Sequence, residues 1–311
     1  MAHLEEAIEL RHAGITCPVF LLFGLEPDGA SEILQHDLTP VIWSLEQAEV
    51  LSAEACRAGR TLSVHVKVDT GMGRVGILPE NAQKEICQIH NLPGLTVEGL
   101  SSHFSDAELE DPDVAAEQVA LFARVALGLE KAGLDLPFKH MANSAAVIRF
   151  PDAHFTMVRP GLMLYGYNPV SAFEPLDIRP VMRLSTRVIA IKTVPQGTPI
   201  SYGRTFRAPR VSRIATISVG YADGFFRTLS GKGRVLIQGQ EVPVVGRVCM
   251  DLTMVDITEI GPVQVGDEAI LIGESDHVKL WADRVAEMAG TIPYEILTSV
   301  GTRVKRVYHG G

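Results

Sequence analysis

The sequence predicts an α/β protein, a (β/α) barrel in its first half followed by a mainly antiparallel β-domain. Two observations carry this. Up to about residue 166, short apolar runs alternate with helical patterns, and beyond about residue 170 come short β-rich runs with Gly or Pro turns. Continuous apolar strands alternating with helices argue a parallel sheet buried on both faces. Residues with chemistry fall at the strand ends and no GxGxxG follows any strand, which favours a barrel over an open dinucleotide-binding sheet. A chain of 311 residues exceeds one ordinary domain, and three prolines (Pro169, Pro175, Pro180) mark a junction. Boundaries at 1–172 and 173–311 are expected.

The opening MAHLEEAIELRHAG reads as a helix stopped by Gly14, with no signal-peptide character. Strands are expected at 17–24, 39–44, 61–71, 95–103, 137–146 and 156–166. Helical patterns fill 28–36, 45–58, 79–90 and about 113–133. In the second half strands are expected in MRLSTRVIAIKTV, RIATISVGYADG, RVLIQGQEVPVVGRVCMDLTMVDIT and EAILIG. A helix follows at about 279–289 and a last strand near 295–307.

Composition narrows the function. With 46% hydrophobic and 21% charged residues the chain is globular, and no apolar run is long enough to span a bilayer. A net charge of −9 disfavours a nucleic-acid partner. Four scattered cysteines, Cys17, Cys56, Cys87 and Cys249, suggest a reducing cytoplasm and neither a disulfide framework nor a metal site.

Seven segments carry candidate chemistry. HVKVDTGMGRVG (65–76) ends a strand in Lys67 and Asp69 and then projects Arg74 from a Gly-rich turn. Asp69 either caps that turn, or the glycines bring Arg74 to a ligand. His103 in SSHFSD and His140, with Asn143 and Ser144, in KHMANSAA stand at equivalent strand ends; each histidine is a packed core residue or part of a site. VRPGLMLYG (158–166) offers Arg159 and the amides at Gly161 and Leu162, either an anion cradle or a proline turn. Tyr202 in ISYGRTF and Tyr221 in SVGYADGF sit beside glycines, as aromatic packing or as an acid/base. GRVCMD (246–251) is the seventh segment.

Taken in order, VKVDTGMGRVG, HMANSAA, RPGLMLYG, SYGRTF, GYADG, VGRVCMD and PYEI resemble the alanine racemases over essentially the whole chain. The resemblance implies a (β/α)8 TIM-type barrel lacking its first two strands, with the chain beginning inside the helix after the second. It implies pyridoxal 5'-phosphate as cofactor, alanine as substrate, D-alanine for peptidoglycan as product, and a homodimer with shared active sites. Arg159 is matched to the arginine at the cofactor's pyridine nitrogen, His140 to the histidine behind it, His103 to the histidine against the ring, and Tyr202 to the base for the L-enantiomer. Arg74 is matched to the arginine near the phenolic oxygen and substrate carboxylate, and Lys67 to a lysine carried as a carbamate in many members. Asn143 joins the cofactor-binding set; Ser144, Gly161, Leu162 and Tyr294 match the phosphate set. Tyr221, Met250 and Asp251 match the substrate entrance and carboxylate site. Tyr202 and Met250 are implied to enter from the partner subunit.

One part of the family pattern is absent from these 311 residues: the KANAYG-type motif whose lysine carries the cofactor and serves as base for the D-enantiomer. That absence leaves open an inactive chain without the cofactor lysine; a related racemase of broader specificity is a separate alternative, against which Tyr221 and Met250 resemble the narrow, alanine-favouring version.

Overall fold

The computed structural model describes residues 1–23, 28–170 and 176–310. The expected boundary at 172/173 lies outside the described residues. The chain divides into two compact units, Met1–Leu164 with Asn168–Asp177, and Tyr165–Tyr167 with Ile178–Gly311.

The first unit runs α1 (Leu4–His12), β1 (Phe20–Leu21), α2 (Ala30–Gln35), β2 (Thr39–Ile42), α3 (Leu45–Ala58), β3 (Leu62–Lys67), α4 (Pro79–His90), β4 (Leu95–Ser101), α5 (Asp113–Lys131), β5 (Phe138–His140) and α6 (Ser144–Arg149). Local chemistry sets the helix ends. Ser44 accepts a hydrogen bond from the Gln47 amide at the start of α3, and Gly59 closes it in the left-handed region. Pro79 opens α4, where a missing amide hydrogen costs nothing.

The five strands pair in parallel in sequence order, β1-β2-β3-β4-β5. Each crossover therefore steps the same way. With right-handed crossovers, that puts all helices on one face and leaves the other concave. The strand period of two then sorts side chains. Val64, Val66 and Val68 join the core with helix residues such as Leu51, Ile86 and Phe122. His65 and Lys67 take the opposite face, in register with Gly99 and Ser101 of β4 and, through them, with Phe138 and His140 of β5.

One of the six strands expected in this half does not form. Segment 156–159 gives two backbone bonds to the β5 segment, Thr156 N–H to Lys139 O (3.1 Å) and Arg159 N–H to Ala142 O (2.8 Å). No ladder follows, because Pro160 supplies no amide and the chain turns into a 3₁₀ helix at Leu162–Tyr165.

The second unit contains β6 (Leu184–Val194), β7 (Pro199–Ile200), β8 (Phe206–Arg207), β9 (Ser212–Ile217), β10 (Arg234–Ile237), β11 (Gln240–Pro243), β12 (Thr253–Asp256), β13 (Glu268–Ser275), β14 (Val278–Leu280), α7 (Ala282–Ala289) and α8 (Pro293–Thr298). Its main sheet is antiparallel, ordered β11-β10-β13-β6-β9-β12 with β14 on β13. The strand expected near 295–307 is instead α8, which Pro293 starts at its first turn, followed by irregular chain. No described helix is long and apolar enough to cross a membrane.

Candidate active site on the concave face of the parallel sheet

Arg159 is the centre of the first unit's cluster. Its NH1 donates to His140 Nδ1 (2.5 Å), and its NH2 meets Ser102 O (2.8 Å), His103 Nδ1 (3.2 Å) and Met141 O (3.5 Å). All these partners are neutral acceptors. Among the described residues no carboxylate pairs with the guanidinium, whose Nε–H is left for another acceptor. Burial brings its pKa down to about 10, so it stays cationic at neutral pH.

The histidines around it are neutral. Burial first, and the Arg159 cation second, push His65 and His103 down to about 4 and His140 to about 2. His65 and His140 are fully buried. Each of these two is unprotonated when folded but takes up a proton on unfolding below its ordinary value of 6.5. Their contribution to stability is therefore complete above about pH 6.5 and is lost as pH falls toward 4, by roughly 1.4 kcal/mol per pH unit for each. Urea unfolding at about pH 7.5 and about pH 5 should show the midpoint falling with acid; a constant midpoint would contradict neutral burial.

Lys67 is buried at the end of β3. Burial, then the Arg74 and Arg159 charges, bring it down to about 8, leaving part of the amine neutral at physiological pH. Phe23 lies beside both cations, its ring centre 6.0 Å from Lys67 Nζ and 5.1 Å from Arg74 Cζ. Asp69 does what a turn cap does, accepting from the Gly71 and Gly73 amides at 3.0 Å each. It thereby holds the loop from which Arg74 projects.

Ser144 is buried at the start of α6, and its Oγ accepts from Gly161 N–H (2.9 Å) and Met163 N–H (3.3 Å). Asn143 caps the same helix through Ala146 N–H (2.9 Å). Space at Gly161 is open, since a side-chain carbon there would meet nothing within 4 Å. Leu162 is buried. A hydroxyl whose oxygen accepts from two amides keeps its own proton to donate, and with open space at Gly161 it suits a phosphate.

Sequence reasoning missed two buried residues here. His65 bonds His140 from behind, Nδ1 to Nε2 at 2.8 Å. Gln118 of α5, 2% exposed, donates to His103 O (3.2 Å) and accepts from Ser105 N–H (3.1 Å), fixing the loop after His103. The alternation VHVKVD carried a signal for His65; nothing local marked Gln118.

The second unit holds the remaining candidates. Tyr202 is 71% exposed on a 3₁₀ turn between Ser201 (φ 66°) and Arg204 (φ 51°). Such values in non-glycine residues cost about 1–3 kcal/mol each and cluster at functional sites. Ser201 Oγ donates to Arg247 O (2.7 Å) and anchors the turn. The Tyr221 and Met250 loops are zipped by Tyr221 N–H to Cys249 O and Ala222 N–H to Met250 O, both 3.0 Å. Arg303 clamps them, Nε to Asp223 (2.7 Å) and NH2 to Asp251 (2.8 Å). The Asp251 carboxylate is thus already paired, and Arg303 is a further residue that sequence reasoning did not single out. Tyr294 lies on α8, where its carbonyl accepts from Thr298 Oγ1 (2.8 Å).

A cation without a carboxylate partner among the described residues, beside neutral histidines and an amide-lined hydroxyl at the carboxyl ends of parallel strands, is an arrangement that suits a barrel enzyme with an anionic ring cofactor. Comparison with known proteins gives the family. Residues 1–169 match the alanine racemase N-terminal domain and 181–308 the alanine racemase C-terminal domain. The chain belongs to the alanine racemase family. It is 44% identical to the alanine racemase of Clostridium novyi over 312 residues, covering 99% of this chain and 81% of that one. The solved alanine racemase of Clostridium difficile 630 superposes with a TM-score of 0.94 at 38% identity, over 99% of this chain and 80% of that one. That of Bartonella henselae, solved with covalently bound pyridoxal phosphate, gives 0.87 at 31% identity, over 99% and 84%.

Proposed function

We propose that this chain is an alanine racemase that interconverts L- and D-alanine with pyridoxal phosphate, in a cytoplasmic homodimer with shared active sites. The observation that carries the reading is Arg159, a half-buried cation that meets only neutral acceptors and keeps a donor to spare. It fits an aromatic nitrogen that must remain unprotonated. The Ser144 hydroxyl, whose oxygen accepts from the Gly161 and Met163 amides and whose proton is left to donate, fits a phosphate.

Pyridoxal phosphate, when bound, draws electrons from the substrate's α-carbon and makes its C–H acidic. The side chains divide the remaining work. Arg159 would donate to the ring nitrogen without surrendering its own proton, which would keep that electron withdrawal mild and favour prompt return of the α-proton. Tyr202 takes and returns that proton on the L side, and Arg74 orients the carboxylate. Lys67, partly neutral, is suited to take up carbon dioxide as a carbamate, giving Arg74 the anionic partner it lacks among the described residues. Tyr221, Met250 and Asp251 form the entrance, while Tyr294 adds to the phosphate set. Exposure of Tyr202, Tyr221 (43%) and Met250 (54%) supports their service at a second copy's site. Free cysteines at 17, 56, 87 and 249 support the cytoplasmic location.

The test joins the family's KANAYG-type lysine segment to the amino end. That protein is expected to form D-alanine from L-alanine, and Arg159→Glu to lower the rate while raising pyruvate formed per turnover. A carboxyl group at the ring nitrogen permits its protonation, deepens electron withdrawal and favours transamination. No D-alanine from the unsubstituted protein would sink the racemase reading. Unchanged pyruvate per turnover would remove Arg159 from the ring nitrogen.

A further inference from the structure

The Arg159 cluster extends one residue deeper than the family motifs reach. A guanidinium only donates, so His140 Nδ1, 2.5 Å from Arg159 NH1, must be the acceptor. Neutral His140 then carries its proton on Nε2. That atom lies 2.8 Å from His65 Nδ1, which in turn must accept, leaving the His65 proton on Nε2. His65 Nε2 is the one buried side-chain polar atom without a hydrogen bond among the described residues. It faces the Glu98 carboxylate at 3.8 Å, too far for a hydrogen bond but close enough for the charge to favour a proton there.

Two backbone features and a pair of aromatic rings build this arrangement. The β3–β4 register slips between Val64↔Val97 and His65↔Gly99, so Glu98 is the extra residue of a bulge, a device that re-aims a side chain. Residue 99 must be glycine, because a Cβ there would sit 2.3 Å from the His65 ring. Phe138 stacks on that ring at 5.6 Å, and Phe20 meets it edge-on at 4.5 Å. A histidine held this tightly, with a carboxylate aimed at its far nitrogen, has one tautomer and one orientation.

We propose that His65 is a positioning residue for the racemase site: by accepting from His140 Nε2–H it holds His140 in the tautomer whose Nδ1 aims the Arg159 guanidinium. The order of donors runs one way, Arg159 to His140 to His65, with Glu98 at the end. His65 touches neither substrate nor cofactor; it acts through two other side chains. Both histidines are held neutral, so the chain of donors persists across the physiological range. The functional consequence rests on the proposed role of Arg159 at the cofactor ring, whereas the tautomer does not.

The experiment therefore reads the tautomer first, on the 311-residue chain without cofactor, by ring nitrogen–proton correlation spectra. Wild type is expected to show His140 and His65 each protonated at Nε2 and bare at Nδ1. His65→Asn places an amide oxygen near the old Nδ1 and is expected to keep the His140 signature. His65→Leu, of the same shape as Asn but without an acceptor, is expected to lose it to a mixture of tautomers. In the lysine-bearing protein the Leu variant should lose about tenfold or more in kcat with KM little changed, and Asn should recover most of it, since small misplacements of catalytic groups have effects of that size. A single Nε2–H tautomer of His140 persisting in His65→Leu overturns the proposal, and so does a wild-type His65 protonated at Nδ1. Should the Leu variant fail to fold, the other two spectra decide: a wild-type His140 or His65 protonated at Nδ1, or loss of the His140 signature in His65→Asn, overturns the proposal. The spectra involve no cofactor, so their failure is distinct from failure of the racemase reading, which absence of D-alanine reports.

Discussion

The 311-residue chain alone is expected to racemise alanine at least about 10³-fold more slowly than a homologue that carries the KANAYG-type lysine, a loss comparable to removing a covalent nucleophile. Its own lysines are placed elsewhere. Lys139 points from β5 toward the helix side and pairs with Glu130 (2.9 Å) and Asp135 (3.0 Å). Lys84 and Lys131 are exposed on α4 and α5. In the parallel-sheet unit only Lys67 is buried on the concave face, and there it stands among Arg74, Arg159 and Phe23. With Tyr202 as the proposed base on one face of the α-carbon, proton exchange from L-alanine is expected to outlast racemisation. Cofactor held by Ser144, the neighbouring amides and Arg159 remains noncovalent and should be lost on gel filtration. The checks are a visible spectrum with added pyridoxal phosphate, a borohydride trap followed by peptide mapping, and a D-alanine assay. Cofactor fixed on Lys67 together with near-normal turnover would overturn the expectation and mean that Lys67 has taken the role.

The elements that sequence patterning located well are those with local signals. The helices at 45–58 and 79–90 follow from apolar periodicity with a serine cap or a first-turn proline, and they end as expected. The alternation VHVKVD already separated a helix-facing valine row from a polar row. What it could not supply was the partner of each polar residue. His65 and His140 stand 75 residues apart, and only the register of β3, β4 and β5 joins them. A histidine between two valines reads as packed core, and so it does pack, while also holding a tautomer. Gln118 had no signal at all, since a polar residue on a long helix ordinarily faces water. The two misplaced strands, at 156–166 and 295–307, share a cause. Each contains or follows a proline, Pro160 or Pro293, that favours a turn or a helix start over a ladder. Asp251 shows the remaining limit: its motif identified the position, but its pairing with Arg303 depends on a residue 52 positions away.

Tyr202→Phe, in the lysine-bearing protein, is expected to cut racemisation by on the order of 10²-fold or more, the usual contribution of a positioned acid/base. The substitution removes one oxygen and keeps the ring. The turn that presents the ring is set by other atoms, namely Ser201 Oγ on Arg247 O and the positive φ values at Ser201, Gly203 and Arg204. An exposed ring on a turn held in this way should lose its hydroxyl with little change in melting temperature, so the lost activity can be assigned to the proton and not to folding. Enantiomers are equal in free energy, so kcat/KM must fall alike in both directions, and the asymmetry appears in isotope effects instead. With the hydroxyl gone, removal of the α-proton from L-alanine becomes the slow step, and α-deuterated L-alanine should show a larger isotope effect than in wild type. α-Deuterated D-alanine, whose proton leaves toward the lysine, should show a smaller one. Unchanged rates with equal isotope effects in both directions would reject Tyr202 as the base on the L side and turn the search to other residues.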